Sequence, residues 1–245
     1  MRPRAHRTSA VVLSALFLTA LPLPASAARP PKPPSGPSTI SWSGHDWDVK
    51  EYSRKIGPGP NFFSSSNVRV DPDGNLHLAI TKSGSKWTTA EVILKDSFGY
   101  GTYTWVLRTP APLDPNVVLG LFTWNDDPAE NHREIDIEFA KWGNASDPND
   151  AQFVVQPYDS VGNEHRFVRP AGGALTTLSF TWASDGVTFR ASSDGVAQTW
   201  TYGGADIPLP GGENPRMNLW LFRGAAPTDG RSVEVVFESF TFTRP

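Results

Sequence analysis

The sequence predicts an all-β fold, a sandwich or jelly roll made of many short strands. Helical patterning is nearly absent after residue 27, and short runs that alternate apolar and polar side chains recur instead. Gly, Pro, Asn and Asp separate these runs, with the strongest turn signals at Asp73-Gly74, Asp185-Gly186 and Asp194-Gly195. Many strands at this spacing favour two packed sheets.

The predicted strands share the alternating pattern but differ in length. They cover residues 76–81, 102–108, 117–124, 134–140, 152–156, 177–182, 188–192, 217–222 and 232–243. In the last run the apolar phase shifts near Ser239, which predicts a β-bulge in a long core strand near the C-terminus.

The N-terminal residues differ in composition from the rest. An apolar run over residues 10–21 follows several arginines and precedes Ala25-Ser26-Ala27, a sequence of the A-x-A type. This pattern predicts a secretory signal peptide over residues 1–27, because about a dozen apolar residues fall short of the ~20 in a membrane-spanning helix. The Pro-rich residues 28–37 are predicted to form an extended linker, and residues 38–245 a single domain.

Composition narrows the possible functions. The net charge of −3 is near neutral and no basic block is present, so we expect neither a nucleic acid nor a membrane as partner. The chain has no cysteine, which excludes disulfides and cysteine chemistry and leaves stability to burial. We expect a monomer that is exported from the cell.

The E-I-D-I-E-F run combines charge with strand alternation. Side chains of a β-strand alternate between its two faces, so Glu134, Asp136 and Glu138 are predicted to share one face. An ordinary strand with a solvated acidic face is the simpler interpretation. Like charges about 6.6 Å apart repel one another, however, and Trp124 and Trp142 flank the run, so we favour a functional site.

The spacing of these carboxylates indicates a reaction. The two glutamates lie ~13 Å apart at Cα, and side chains that lean together bring the carboxyls within the roughly 5 to 5.5 Å of a retaining glycosidase pair. Asp136 between them would raise a neighbour's pKa and orient the nucleophile. Alternation also places His132 on this face, where it could bind a sugar or tune a carboxylate. A metal site is disfavoured, because side chains in one straight row do not converge on a point.

The same run resembles the signature of glycoside hydrolase family 16. Further similarities to that family lie at residues 97–103 (S-F-G-Y-G-T-Y), with Glu91 upstream, at residues 118–124 (V-L-G-L-F-T-W) and at residues 217–220 (M-N-L-W). In order and spacing they cover essentially all of residues 38–245. The resemblance implies a concanavalin-like jelly roll that forms a retaining, endo-acting catalytic domain for polysaccharides.

The resemblance also implies roles for the acidic residues. Glu134 would be the nucleophile, Asp136 its assisting partner and Glu138 the general acid/base. The single residue Ile137 between Asp136 and Glu138 is typical of lichenase-like and xyloglucan-active members, whereas laminarinases and agarases usually carry one residue more. No cofactor is implied, apart from a structural calcium ion bound by backbone carbonyls and an Asp that is common in the family.

A polysaccharide cleft needs flat aromatic side chains for sugar faces and polar side chains for hydroxyls. The concave sheet of a jelly roll supplies them as every second residue of several strands. Besides His132, the candidates for substrate binding are Glu91, Trp124, Trp142, Gln152, Gln156, Asn218, Trp220 and Arg223. Val154 and Gln156 stand where lichenases show an Asn and a Tyr, so the resemblance leaves the polymer open, with a β-glucan as the expected type.

Two other classes of protein compete with this prediction. A non-catalytic, lectin-like carbohydrate-binding domain is the main alternative, since the jelly roll hosts many binders. A structural cell-wall protein is the other, but it would show repeats, and none is found in the sequence. A binder has no need of two glutamates flanking an aspartate, so we predict a secreted glycosidase.

Overall fold

A computed structural model describes residues 38–245. In this range the chain forms seventeen strands and three short 3-10 segments, and the same residues include no α-helix. The strands are β1 (Thr39–Trp42), β2 (His45–Val49), β3 (Tyr52–Ile56), β4 (Asn61–Phe63), β5 (Val68–Val70), β6 (Leu76–Ser83), β7 (Lys86–Leu94), β8 (Gly101–Arg108), β9 (Val117–Trp124), β10 (Ile135–Phe139), β11 (Ala151–Val155), β12 (Glu164–Phe167), β13 (Leu175–Ala183), β14 (Gly186–Ser193), β15 (Val196–Tyr202), β16 (Asn214–Leu221) and β17 (Val233–Thr243).

The strands form two antiparallel layers. The first layer has the order β1-β2-β7-β16-β9-β10-β11-β12. The second layer has the order β5-β6-β17-β8-β13-β14-β15. The β6–β7 hairpin joins the layers, and the short pair β3–β4 attaches to β7. The predicted jelly-roll class is therefore confirmed.

The core lies between the two layers and is rich in aromatic side chains. Trp47, Trp105, Phe153, Phe180 and Phe237 are completely buried in it. Burying one large apolar side chain stabilises a fold by about 1.5–3 kcal/mol. Among residues 38–245 no cysteine is present, so this burial takes the place of cross-links.

The turn and bulge signals in the sequence are confirmed. Asp194 and Gly195 both have positive φ, 48° and 77°, in the two-residue turn between β14 and β15. The register of β17 against β8 shifts between Phe237 and Ser239, where the apolar phase changes.

The predicted strands all occur, with boundaries that differ by a few residues. β16 starts at Asn214, earlier than the predicted residue 217, so its N-terminal part was missed. Strands β1 to β5, β7, β12 and β15 were not predicted. Most of them are short or partly exposed, whereas β7 is buried at four consecutive residues, and in both cases a clean alternation is lacking.

The N-terminal predictions concern residues 1–37. The signal peptide (1–27) and the Pro-rich linker (28–37) lie outside the described residues, and both stay predictions. Within residues 38–245 no helix has the length and apolar character needed to cross a membrane.

Candidate active site

The acidic side chains sit at the centre of the first layer. β10 pairs with β9 on one side and with β11 on the other, so that Glu138 lies between Gly120 and Gln152. In the next row Asp136 lies beside Phe122. Glu134 directly precedes β10 and has an extended backbone (φ −89°, ψ 122°), so the strand alternation continues through it.

A cavity of about 380 Å³ opens over these strands. Glu134, Asp136 and Glu138 all line it, as the alternation predicted. Its remaining walls come from several strands and from the segment between β3 and β4: Lys50, Ile56, Gly57, Pro58, Glu91, Gly120, Phe122, Trp124, Asp126, Arg216, Asn218 and Trp220. Carboxyls, amides and aromatic rings therefore face one volume large enough for a sugar unit.

The three acidic side chains lie close enough together to change one another's pKa. Burial, followed by the charge of Glu138, raises the pKa of Glu134 to about 8. A hydrogen bond with Asp136 and the charge of Arg216 act in the opposite direction on the Glu134 pKa. The same bond raises the pKa of Asp136, which favours protonated Asp136 beside ionised Glu134.

The other two carboxyls also have raised pKa values. Asp136 is 4% exposed, and burial together with the charge of Glu134 raises its pKa. Burial and then the charge of Asp136 raise the pKa of Glu138. Crowded carboxyls of this kind cannot all be ionised at neutral pH, so the cluster keeps protons that can be donated.

Two glutamines hold the acidic cluster rather than line the open cavity. The Gln152 Nε2 donates to Glu138 Oε2 at 2.7 Å, while its Oε1 accepts from Trp142 Nε1 at 2.9 Å and from Arg166 at 2.8 Å. The Gln156 Nε2 donates to Asp136 Oδ2 at 3.0 Å. Both were predicted to bind substrate, which stays a prediction; the structure places their amide N–H groups on the carboxyls of Glu138 and Asp136.

The prediction that His132 shares the strand face of Glu134 is wrong. Residues 130–133 have φ values of 53°, 48°, 63° and 55°, and this left-handed path ends the strand alternation before Glu134. The His132 ring instead stacks on Trp124, with ring centroids 4.0 Å apart and an angle of 8° between the planes. Its Nδ1 lies 2.8 Å from the Asn125 carbonyl oxygen, which fixes the ring beside a cavity wall.

The other aromatic candidates separate into two groups. Trp124 and Trp220 line the cavity as predicted. Trp142 does not line it; its ring packs against Trp220 and Phe222, and its indole N–H is used by Gln152. Arg223 lies outside the cavity as well, with its guanidinium over the Phe222 ring.

Strands β16 and β7, which follow β9 in the first layer, supply further polar side chains to the cavity. Asn218 pairs with Glu91 on one side and with Gly120 on the other. Glu91 is 1% exposed and forms a buried ion pair with Lys50 at 2.7 Å. Glu91 and Asn218, both predicted to bind substrate, therefore line the cavity. The positive charge of Lys50 neutralises the Glu91 carboxylate.

Sequence reasoning missed Lys50, Asp126 and Arg216 among the polar side chains of the cavity. Lys50 and Asp126 lie beyond the ends of strands, and no periodic pattern marks them. Arg216 could have been found, because it lies two residues before Asn218 and alternation places both on one face.

A metal site in the acidic cluster is not indicated. Within residues 38–245 no group of three or more His, Asp or Glu side chains is arranged to hold a metal ion. A calcium site built from backbone carbonyls and a single aspartate has a different donor set, and it stays a prediction.

Comparisons by sequence find nothing: no protein-family model and no curated protein match the chain. Comparisons by structure find close likenesses. A Bacillus licheniformis β-glucanase matches with a TM-score of 0.62 and 22% identity, over 81% of this chain and 92% of that chain. A β-1,3-1,4-glucanase (lichenase) from a mouse hindgut metagenome matches with a TM-score of 0.61 and 24% identity, over 81% and 93%.

A family 16 protein of Bacteroides ovatus, solved in complex with a G4G4G3G product, is similar too. Its TM-score is 0.64 at 16% identity, over 80% of this chain and 94% of that chain. These proteins share the two-layered architecture described above, with most of both chains superposed. The chain therefore has the jelly-roll fold of the glycoside hydrolase family 16 β-glucanases.

Proposed function

We propose that this protein is a retaining, endo-acting glycoside hydrolase that cleaves β-glycosidic bonds in a β-glucan. The observation that carries the proposal is the row of Glu134, Asp136 and Glu138 on one wall of the cavity. In that row a hydrogen bond with Asp136 lowers the pKa of Glu134, against the burial that raises it, while the pKa of Glu138 is raised. A nucleophile supported by a hydrogen bond and a protonated acid are the two groups that a retaining glycosidase needs.

The proposed reaction has two steps. In the first, Glu134 attacks the anomeric carbon, Glu138 gives its proton to the glycosidic oxygen, and the bond to the leaving sugar breaks. A glycosyl ester on Glu134 results. In the second, Glu138 takes a proton from water, the water oxygen attacks the anomeric carbon, and Glu134 leaves as a carboxylate.

Asp136 supports the first step without touching the sugar. Its hydrogen bond lowers the pKa of Glu134, against the burial that raises it, and so increases the fraction of nucleophile that is ionised. The Gln156 amide, 3.0 Å away, fixes the Asp136 carboxyl in place. Gln152 does the same for Glu138.

The charges of the cavity support an uncharged polymer as substrate. Its two cations already face carboxylates: Lys50 lies 2.7 Å from Glu91, and Arg216 lies 3.4 Å from Asp126. Neither of these cations is therefore left without a carboxylate partner, so among residues 38–245 the cavity offers no free cation to pair with a uronate or sulfate group. The proteins of similar structure are β-glucanases, which supports a neutral β-glucan as the substrate.

The proposed activity is tested with a panel of polymers. Purified protein is incubated with barley β-glucan, laminarin, xyloglucan and agarose, with carrageenan as an acidic comparison, and new reducing ends are measured. We expect the wild type to produce new reducing ends from a β-glucan and Glu134→Gln to produce none. If the wild type binds a polymer but produces reducing ends from none of them, the lectin-like alternative is supported instead.

The cellular setting rests on the N-terminal sequence. The predicted signal peptide over residues 1–27 supports secretion, which would place the protein beside extracellular polymers. We propose that it acts there as a monomer.

A further inference from the structure

Arg216 lies close to the acidic row although it belongs to a distant part of the sequence. It pairs with Phe122 of β9, and Phe122 pairs with Asp136 on its other side. Two strand spacings of about 4.8 Å therefore separate the Cα atoms of Arg216 and Asp136. The Arg216 side chain is 11% exposed, lines the cavity, and acts on the Glu134 pKa through its charge.

The guanidinium of Arg216 is only partly satisfied by the protein. Its Nη2 lies 3.4 Å from the exposed Asp126 carboxylate, and its Nη1 lies 3.8 Å from Glu91, beyond hydrogen-bond distance. Its Nε is buried and has no hydrogen-bond partner among residues 38–245. A buried charged group with an unused N–H is costly, unless a ligand supplies the acceptor.

A second unsatisfied atom lies two residues further along β16. Asn218 Oδ1 is also buried without a partner among the described residues, and Asn218 lines the same cavity. An unused donor and an unused acceptor thus occur on one face of one strand. Hydroxyl groups, which both donate and accept, are the chemistry that satisfies such a pair.

We infer that Arg216 is a substrate-binding residue whose Nε–H donates to a hydroxyl of the sugar held next to Glu134. The inference rests on the proposed function and adds a specificity-determining contact to it. The hydroxyl oxygen supplies the acceptor that the protein lacks, so the contact exists only in the complex. A sugar that presents no hydroxyl at this position does not gain this hydrogen bond and binds more weakly.

Two substitutions separate the hydrogen bond from the charge. Arg216→Met removes both, while Arg216→Lys keeps the charge and lacks the planar Nε donor. We expect kcat/KM on the preferred glucan to fall about 10- to 100-fold in both variants. Arg190→Met is the matched control, since Arg190 is exposed on the second layer, and it should retain wild-type kcat/KM.

Two further readouts distinguish binding from a structural role. In a Glu134→Gln background, calorimetry with an oligosaccharide of the preferred glucan should show the same loss of affinity for both Arg216 variants. The acid limb of the kcat/KM profile should move to higher pH in Arg216→Met and stay in place in Arg216→Lys, because only the first loses the charge near Glu134.

The inference is contradicted if Arg216→Met or Arg216→Lys, shown by circular dichroism to be folded, has the kcat/KM and the affinity of the wild type. An active wild-type protein with unaffected variants contradicts this inference alone. A wild-type protein that neither cleaves nor binds any glucan contradicts the proposed function as well.

Discussion

The Glu134 carboxyl is subject to opposing influences at the scale of the single residue. Burial and the charge of Glu138 favour its protonated form, whereas Asp136 and Arg216 favour the ionised form. Burial and the Glu138 charge have the larger effect in the free protein, since the Glu134 pKa is raised to about 8. The nucleophile is therefore ionised in only part of the molecules at neutral pH, and activity should increase as pH rises toward that value.

Replacing Glu134 tests its role as nucleophile. Glu134→Gln is close to isosteric but cannot form a glycosyl ester, so kcat should fall at least about 1,000-fold. Steady-state kinetics on the preferred glucan measure the loss, and circular dichroism confirms the fold. Full activity in a folded variant would assign the nucleophile to another residue.

The raised Glu134 pKa also predicts how stability depends on pH. Between the ordinary value of 4.5 and about 8, the folded state holds a proton that the unfolded state has released. The free energy of unfolding should therefore fall as pH rises through this window, by at most about 1.4 kcal/mol per pH unit for one group. Urea unfolding at pH 5 to 8 should give a shallower slope for Glu134→Gln than for the wild type. Equal slopes would show that Glu134 has an ordinary pKa.

The role of Glu138 as general acid can be tested by comparing substrates with poor and good leaving groups. Glu138→Gln removes the proton that a poor leaving group needs, so kcat/KM on the polymer should fall by about 100-fold or more. For an aryl glycoside with a good leaving group, kcat/KM of Glu138→Gln should fall much less, because the first step then needs no proton from Glu138. Equal losses on both substrates would move the acid role to another side chain.

At the scale of elements, the segment before β10 takes His132 out of the acidic row. Its left-handed residues 130–133 carry His132 away from the strand face and onto Trp124. Thr123 Oγ1 holds the segment by donating to the Arg133 carbonyl at 2.7 Å and accepting from Ile135 N at 3.2 Å. The alternation rule predicted Asp136 and Glu138 correctly because both lie within β10, and it failed for His132, which lies before the strand.

Gly120 of β9 provides a test at the same scale. It lies between Glu138 and Asn218, and a Cβ at this position would come within 2.5 Å of Asn218 Oδ1. Gly120→Ala should displace the amide and lower kcat/KM about 10-fold or more. Gly203→Ala is the control, because a Cβ there has no atom of residues 38–245 within 4 Å apart from its own residue and its two chain neighbours. Wild-type kcat/KM in Gly120→Ala would show that the position of Asn218 does not matter.

At the scale of the whole molecule, the strands and their fold class were predicted better than the side-chain contacts of the cavity. Alternation and Asp-Gly turns indicate strands because they depend on neighbouring residues alone. The contacts of the cavity depend on register between distant strands, such as the pairing of Asn218 with Glu91. For this reason Gln152 was assigned to the substrate, whereas its amide donates to Glu138, and Trp142 was assigned to the substrate, whereas its indole N–H donates to Gln152.

The stereochemistry of cleavage tests the central proposal most directly. A two-step route through a Glu134 ester inverts the anomeric carbon twice and so retains its configuration. Proton NMR of the first product released from a β-linked glucan, recorded before mutarotation, should show the β-anomer. An initial α-anomer would contradict the retaining mechanism, and with it the assignment of Glu134 as nucleophile.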